Sequence, residues 1–189
     1  MVSTLSDLDL CNAALVKLGA LPIAGFDDPD AAAAVCRTLY PVVVDAALTS
    51  RPWSFTLKRA TLSPIDGRPL ADFGRRFALP ADFLRALYVD DRGSSPRYAI
   101  LGDELEADSA TVVLTYQYRA PEAAFPPAFR AGLVTRLAAE LCLPLTESTS
   151  RAEALDRLAE RDLERAWTTD RAQETPPVIG DDTLLRARS

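Results

Sequence analysis

The stretch Thr111-Val112-Val113-Leu114-Thr115-Tyr116-Gln117-Tyr118 decides the fold class, because it is the clearest strand in the chain. Most of its residues are β-branched or aromatic, the composition that pleated sheets favour. Shorter runs of similar composition precede it, separated by turn residues, at 77–80, 84–89, 98–101 and 105–107. The sequence Leu101-Gly102-Asp103-Glu104 indicates a hairpin turn. Residues 55–119 are therefore predicted to form a small antiparallel sheet or a set of hairpins.

The chain before this β-region is predicted to be helical. Residues 6–19 begin at Ser6, a favourable N-cap, and end at Gly19, a favourable residue after a helix. Between them the apolar residues recur at spacings of three and four, which gives one buried stripe: Leu8, Cys11, Leu15 and Leu18. A second helix is predicted from Asp30 to about Ser50, with an inward face of Val35, Leu39, Val42, Val43, Ala46 and Ala47. Pro41 is expected to kink that helix or to split it.

The chain after the β-region is also predicted to be helical. Pro126 and Pro127 suit the first turn of a helix whose buried stripe is Leu133, Leu137, Leu141 and Leu145. A final helix runs from a cap at 148–150 to about Ala172, with a stripe of Ala152, Leu155, Ala159, Leu163 and Ala166. The fold class is thus mainly α with a small antiparallel β insertion (α+β), a helical bundle plus β-hairpins and an extended C-terminal tail. The segments are 1–54, 55–119, 120–172 and the tail, 173–189.

The composition narrows the possible chemistry. The 189 residues include no histidine, so Ser-His and Cys-His nucleophiles and imidazole zinc sites are excluded. A net charge of −6 argues against a dedicated nucleic-acid binder, which usually carries a basic face. The glycines form neither a dinucleotide-binding nor a Walker-type loop. We therefore expect no enzymatic activity, no cofactor and no metal.

Targeting signals and cysteines point to a protein made in the cytoplasm. The N-terminus has no basic segment followed by an apolar run, so no secretory signal is expected. Charge or proline interrupts the apolar stretches before the roughly 18 residues that a membrane span needs. The three cysteines, Cys11, Cys36 and Cys142, are scattered and odd in number, which favours reduced thiols in the core over a disulfide framework.

Acidic residues are the remaining catalytic or metal-binding material. Asp27, Asp28 and Asp30 lie close together, but they lack the glycine and terminal glutamate of an EF-hand loop. Helix capping and loop solubility explain them more simply. The adjacent pairs Asp90-Asp91, Asp103-Glu104 and Asp181-Asp182 would point to opposite faces on a strand and so make no carboxylate dyad.

Three other features have both a functional and a structural interpretation. The row Arg157, Arg161 and Arg165 could face phosphate or acidic protein, but interleaved acids favour a solvated helix face. Trp53 and Phe55 could form a binding wedge, although an aromatic cluster that seals the junction of helices and sheet is favoured. The tail carries apolar residues with no core nearby, and such segments often dock on another chain. The alternative for the tail is an end without function.

The order of these segments resembles the head-to-tail adaptor proteins of tailed bacteriophages, in particular the tail tubular protein A family, with a similar protein in gene transfer agents. The resemblance rests on residues 9–23, an acidic loop, an alanine-rich helix, Tyr40-Pro41 and Arg51-Pro52-Trp53-Ser54-Phe55. It continues through 77–84, Tyr116-Gln117-Tyr118 and the final helix pair. It covers roughly residues 5–172, and it rests on packing motifs in a given order.

The resemblance implies a structural virion protein at the neck, the head–tail junction. Such adaptors form a ring, usually dodecameric, beneath the portal of the DNA-filled capsid, and genomic DNA passes through the channel without sequence-specific binding. The match to the portal-binding extension is 175–189, with Ile179, Leu184 and Leu185 as anchors and Arg186 and Arg188 facing acidic groups of the portal. The other partners implied are a second copy of the chain and a downstream neck or tail protein, with no membrane.

Two other functions remain open from the sequence. The first is another neck component, a tail terminator or a head-completion (stopper) protein, which would bind the tail side. The second is a soluble helical module with an acidic metal site.

Overall fold

The helices of this protein enclose the larger of its two hydrophobic cores. The computed structural model describes residues 6–67, 69, 72–91 and 93–172. Within those residues there are four helices: α1 (Asp7–Lys17), α2 (Ala31–Thr49), α3 (Pro127–Thr146) and α4 (Thr149–Arg171). Two small antiparallel sheets lie between α2 and α3 in the chain, and the whole is about half helical and 23% strand. The predicted α+β fold class is confirmed. The predicted extended tail, 173–189, lies outside the described residues.

The ends of α1 are fixed by its own sequence. The Ser6 hydroxyl accepts the backbone N–H of Asp9, and the Asp9 carboxylate accepts the backbone N–H of Ser6, which completes a capping box. These hydrogen bonds hold the pKa of Asp9 below its usual value. At the other end, Gly19 has a φ of +73° and the Ala20 N–H bonds to the Leu15 carbonyl at 3.0 Å. Both predicted ends of this helix are confirmed.

The buried face of α2 agrees with the predicted one only in part: Val43 and Ala47 are buried as predicted. Val42 is 65% exposed and Ala46 is exposed, while the fully buried side chains include Cys36, Val44 and Leu48. Almost every residue of this helix is apolar, so the sequence has no polar stripe to mark the outer face, and packing against α3 decides it. The helix also continues across Pro41 without a break. Of the expected kink or split, the split is therefore wrong.

The length and composition of α2 would allow it to cross a membrane. Arg37, Pro41 and Asp45 do interrupt its apolar residues, as expected from the sequence. Nearly half of its apolar stretch is buried inside the protein, however. The core helix of a soluble protein can have the same length and composition. Length and composition alone are weak evidence for a membrane span.

The β-region forms two sheets around a second, smaller core. One sheet has the order β1 (Leu57–Leu62), β7 (Val112–Tyr118), β4 (Phe83–Asp90). The other has the order β2 (Pro64–Ile65), β3 (Arg75–Ala78), β6 (Glu104–Ala107), β5 (Tyr98–Leu101). Their shared core is made of Leu62, Phe77, Val89, Leu105, Ala107, Val112, Leu114 and Tyr116, residues from both sheets.

Strand β7 is the centre of its sheet, as its composition indicates. Leu101 pairs with Glu104 across a two-residue turn in which Gly102 has a φ of +63°, so the predicted hairpin is confirmed. That hairpin belongs to the second sheet, and β7 pairs with β1 and β4 in the first.

Helices α3 and α4 pack very closely because Gly132 has no side chain. A Cβ placed on Gly132 would lie 2.8 Å from Leu163 Cδ2 and 3.2 Å from the Leu163 backbone nitrogen. Both residues are buried in the larger core. The approach of the two helices therefore depends on this glycine.

We predict that Gly132→Val destabilises the protein by ~1–3 kcal/mol, because the added methyl groups would overpack the contact with Leu163. The measurement is the urea midpoint of unfolding. Ala131→Val is the matched control, since Ala131 is exposed and should show only the helix-propensity cost of roughly 0.5 kcal/mol. Equal losses in the two variants would contradict the packing argument.

Candidate functional site

The sequence-predicted site residues lie outside the described part of the chain. These are the tail residues Ile179, Leu184, Leu185, Arg186 and Arg188. The structure does describe the place from which the tail departs, the last turn of α4. The contacts of that turn determine where the tail begins relative to the rest of the protein.

The last turn of α4 is held against the end of α2 by a buried carboxylate. Asp170 is 6% exposed, and its two oxygens accept the backbone N–H of Ser54 at 2.7 Å and the Ser54 hydroxyl at 2.6 Å. Six residues earlier in α4, Glu164 forms an ion pair with Arg51. Because both contacts reach the segment after α2, the tail starts beside the C-terminal end of α2.

Aromatic side chains fill the space beneath this joint. Trp53 is fully buried, with ring centroids 4.9 Å from Phe129 and 5.5 Å from Trp167 in edge-to-face arrangements. Phe55 and Phe125 complete the cluster against Phe129. The interpretation of Trp53 and Phe55 as a seal between helices and sheet is confirmed, and a binding wedge at Trp53 is wrong because its ring has no exposed surface.

Gln117 is a polar residue of this joint that the sequence reasoning did not single out. Its Nε2 lies 2.9 Å from the Leu48 carbonyl, 2.7 Å from the Arg51 carbonyl and 3.0 Å from the Thr56 hydroxyl. The side chain is fully buried. An amide in an otherwise apolar strand was the available signal, because a buried polar side chain needs partners.

The first cluster of acids serves the loop between α1 and α2. Asp28 accepts the backbone N–H groups of Ala24 and Gly25, and Asp30 caps α2 by accepting the Ala32 N–H at 3.0 Å. The expected capping role is confirmed. Among the residues with described placement, no three Cys, Asp or Glu side chains are grouped as metal ligands would be.

The arginine row of α4 and the pair Asp90-Asp91 have partners within the fold. Arg157 and Arg165 are largely exposed and lie near Glu153 and Asp162, as expected of a solvated helix face. Asp91 accepts the Ser109 hydroxyl, and Asp90 accepts the Gly93 N–H at 2.8 Å. The pair Asp181-Asp182 lies outside the described residues.

The three cysteines are buried and unpaired, as predicted. Cys11 on α1 and Cys36 on α2 are close enough that the hydrogen bond between their thiols is the main cause of the raised pKa of Cys11. Burial raises it further. These thiols belong to the packing between the two helices.

An apolar groove runs along α2, and the sequence reasoning missed it. The half farther from the C-terminal end of α2, called distal here, has a volume of about 750 Å³ and lies between Val35 and Leu39 of α2 and Leu143 of α3. Its proximal half, about 500 Å³, reaches Ser50 and Arg51 at the end of α2. The halves adjoin because Leu39 and Glu140 line both. We call this feature the α2 groove.

A polar cluster joins β1 and β7 to Asp82, the residue before β4. Asp82 accepts Lys58 Nζ at 2.5 Å and the Tyr116 hydroxyl at 2.9 Å. The bond from Lys58 is the main reason that the pKa of Asp82 lies below its usual value. Burial, followed by the bond to Asp82, raises the pKa of Tyr116 to about 12.

Comparison with known proteins adds no assignment to this geometry. No family model matches the chain, and no curated protein matches it. The function must therefore be argued from the residues and their arrangement.

We predict that Asp170→Ala lowers the free energy of unfolding by ~1–3 kcal/mol, because it leaves the Ser54 N–H and hydroxyl without their acceptors. Urea denaturation measures the loss. Thr169→Ala is the control, since Thr169 is exposed and bonds only within α4. A loss no greater than that of the control would mean that Asp170 does not fix the base of the tail.

We predict that Asp82→Asn weakens the acid dependence of stability. The pKa of Asp82 in the folded state is below 3.8, so its contribution is present above about pH 4 and is lost as the pH falls through the folded-state value. The difference in thermal midpoint between wild type and variant should therefore be larger at pH 7 than at pH 3. Asp103→Asn on the exposed hairpin is the control. A difference that stays constant with pH would contradict this prediction.

Proposed function

We propose that this protein is a head-to-tail adaptor of a tailed bacteriophage or a gene transfer agent. Copies of it form a ring, with a dodecamer expected, beneath the portal, and the ring connects the DNA-filled head to the tail. It is a structural virion protein located at the neck and acts without a cofactor. The C-terminal tail binds the portal, and another face of the ring meets the next neck or tail protein.

The observation that carries the proposal is the position of the residues on which the resemblance rests. Asn12 bonds both the N–H and the carbonyl of Ile23, at 2.9 and 3.0 Å, which closes the loop after α1. Trp53 is buried at the junction of helices and sheet, and Ser54 holds Asp170. Motifs that form such joints are expected of a family defined by its packing.

The surface is compatible with a subunit that has several neighbours. Large apolar side chains are exposed on both the helical body and the β-region: Val16, Leu21, Val42, Leu143, Tyr88, Tyr98 and Leu101. A ring built from one kind of chain needs two different contact surfaces on each subunit, because every interface joins unlike faces. Exposed apolar residues on separate parts of the fold could supply both.

The fixed base of the tail also favours portal binding. Asp170 and Glu164 tie the end of α4 to the body, so the tail of every subunit would leave the ring at the same position. Many weak tail contacts made at once give a high overall affinity. An acidic chain further suits a DNA channel, since like charge lets DNA slide instead of adhering.

We predict that the full-length chain co-elutes with its cognate portal ring and that the Leu184→Ser, Leu185→Ser double variant does not. The loss follows because the variant removes the apolar anchors of the tail while leaving its charge unchanged. Size-exclusion chromatography with light scattering gives the masses. Thr183→Ala is the matched control and should co-elute like the wild type.

This proposal would be overturned if the full-length chain, with its tail intact, did not co-elute with the portal ring. If the same chain bound the tail tube instead, the function would be that of a tail terminator or stopper protein.

A further inference from the structure

The α2 groove is an apolar surface with one end open beside the base of the tail. Its proximal end is lined by Ser50 and Arg51, and Arg51 forms the ion pair with Glu164 of α4. Its distal end is lined by Ala34 and Ala152. From Ala34 to Ser50 the groove follows α2 for ~24 Å, at 1.5 Å per helical residue. A segment that leaves α4 and turns back would enter the groove at its proximal end.

The tail is long enough to make this turn and lie in the groove. Leu184 is twelve positions after Ala172, and the two are at most ~40 Å apart when the segment is extended, at about 3.3 Å per residue. Leu39 and Glu140 both line the two halves of the groove. Leu39 lies ~17 Å from Ser50 along α2, which is well within the reach of the tail. The sequence Gly180-Asp181-Asp182 supplies residues that favour a turn before Leu184.

The chemistry of the groove matches that of the tail. Val42 and Leu143 are 65% and 50% exposed, so the groove presents apolar surface to any chain that covers it. Glu140 is exposed and forms no ion pair or hydrogen bond with any residue that the structure describes. The tail offers two leucines, Leu184 and Leu185, followed directly by Arg186 and Arg188.

The other acids of the groove are partly neutralised within the fold. Arg136 of α3 forms ion pairs with Asp156 and with Glu160, the latter at 2.6 Å. Glu153 lies 3.8 Å from Arg157. Among the acids that line the groove, Glu140 is therefore the one available to pair with a cation from another segment. It lies in the middle of the groove.

We propose that residues 184–188 of the same chain occupy the α2 groove in the free subunit. Leu184 and Leu185 cover the apolar lining between Leu39 and Leu143, and Arg186 or Arg188 pairs with Glu140. The groove is thus an internal docking site for the C-terminal segment, and it shields the exposed apolar surface of the unassembled chain. This occupancy is a property of the free chain and does not depend on the portal.

One consequence does rest on the proposed function. The same leucines cannot fill the groove and the portal at once, so the portal must displace the tail from the groove. The apparent affinity for the portal is then reduced by the fraction of subunits with a closed groove.

The test uses the full-length chain with Ser189→Cys carrying a nitroxide spin label. Cys11, Cys36 and Cys142 are buried, so the folded protein is labelled at the new cysteine. We expect the methyl NMR signals of Val35, Leu39 and Leu143 to lose intensity through relaxation by the label. The methyl signals of Val16 on α1, which contributes no residue to the groove, should keep theirs.

A charge exchange tests the pairing with Glu140. Glu140→Arg alone should restore the groove signals, as should Arg186→Glu with Arg188→Glu, and combining all three substitutions should bring the loss of intensity back. Asp103→Arg, on the exposed β5–β6 hairpin, is the matched control and should leave the loss unchanged.

Two results would overturn the proposal. One is full intensity at the groove in the labelled wild-type chain. The other is a comparable loss in mixtures of spin-labelled chain with isotope-labelled chain that carries no spin label, because the groove would then bind the tail of a second copy. Either result leaves portal binding untouched, since co-elution with the portal ring is measured separately. If Glu140→Arg still co-elutes with the portal while its groove is open, the two roles of the tail are distinct.

Discussion

The buried C-terminal end of α2 is the constraint on which the rest of the structure depends. The last turn of any helix has carbonyl groups without partners inside the helix, and burying them unpaired is costly. Here Ala47 and Leu48 in the last turn of α2 are buried, while Thr49 is only partly exposed. The buried carbonyl groups of this turn must therefore find donors from another part of the chain.

The donors come from elements on both sides of the junction. The Trp53 indole N–H bonds to the Ala47 carbonyl at 3.0 Å, and Gln117 of β7 reaches the carbonyls of Leu48 and Arg51. Arg85 of β4 bonds to the Thr49 carbonyl at 3.0 Å. One helix end is thus satisfied by its own continuation and by two strands, and this fixes the first sheet against the bundle.

The same joint also positions the tail. Ser54 follows Trp53 and donates twice to Asp170, so the segment that closes the end of α2 also holds the last turn of α4. The tail therefore begins beside the opening of the α2 groove. The two roles proposed for the tail, binding of the portal and internal docking in the groove, are alternatives for one segment, and both would start from this joint.

The sequence by itself determined the elements whose signals are local. The capping box at Ser6, the terminator Gly19, the β5–β6 hairpin and the strand β7 each depend on residues within a few positions of one another, so their patterns can be read directly. It also provided the apolar and basic residues of the tail. Only the tertiary structure decided which face of α2 is buried, because its residues are apolar on every side and the contact with α3 selects one. The partners of Gln117 and Asp170 and the α2 groove likewise required the fold, since they join residues that are 61 to 116 positions apart or surfaces of three helices.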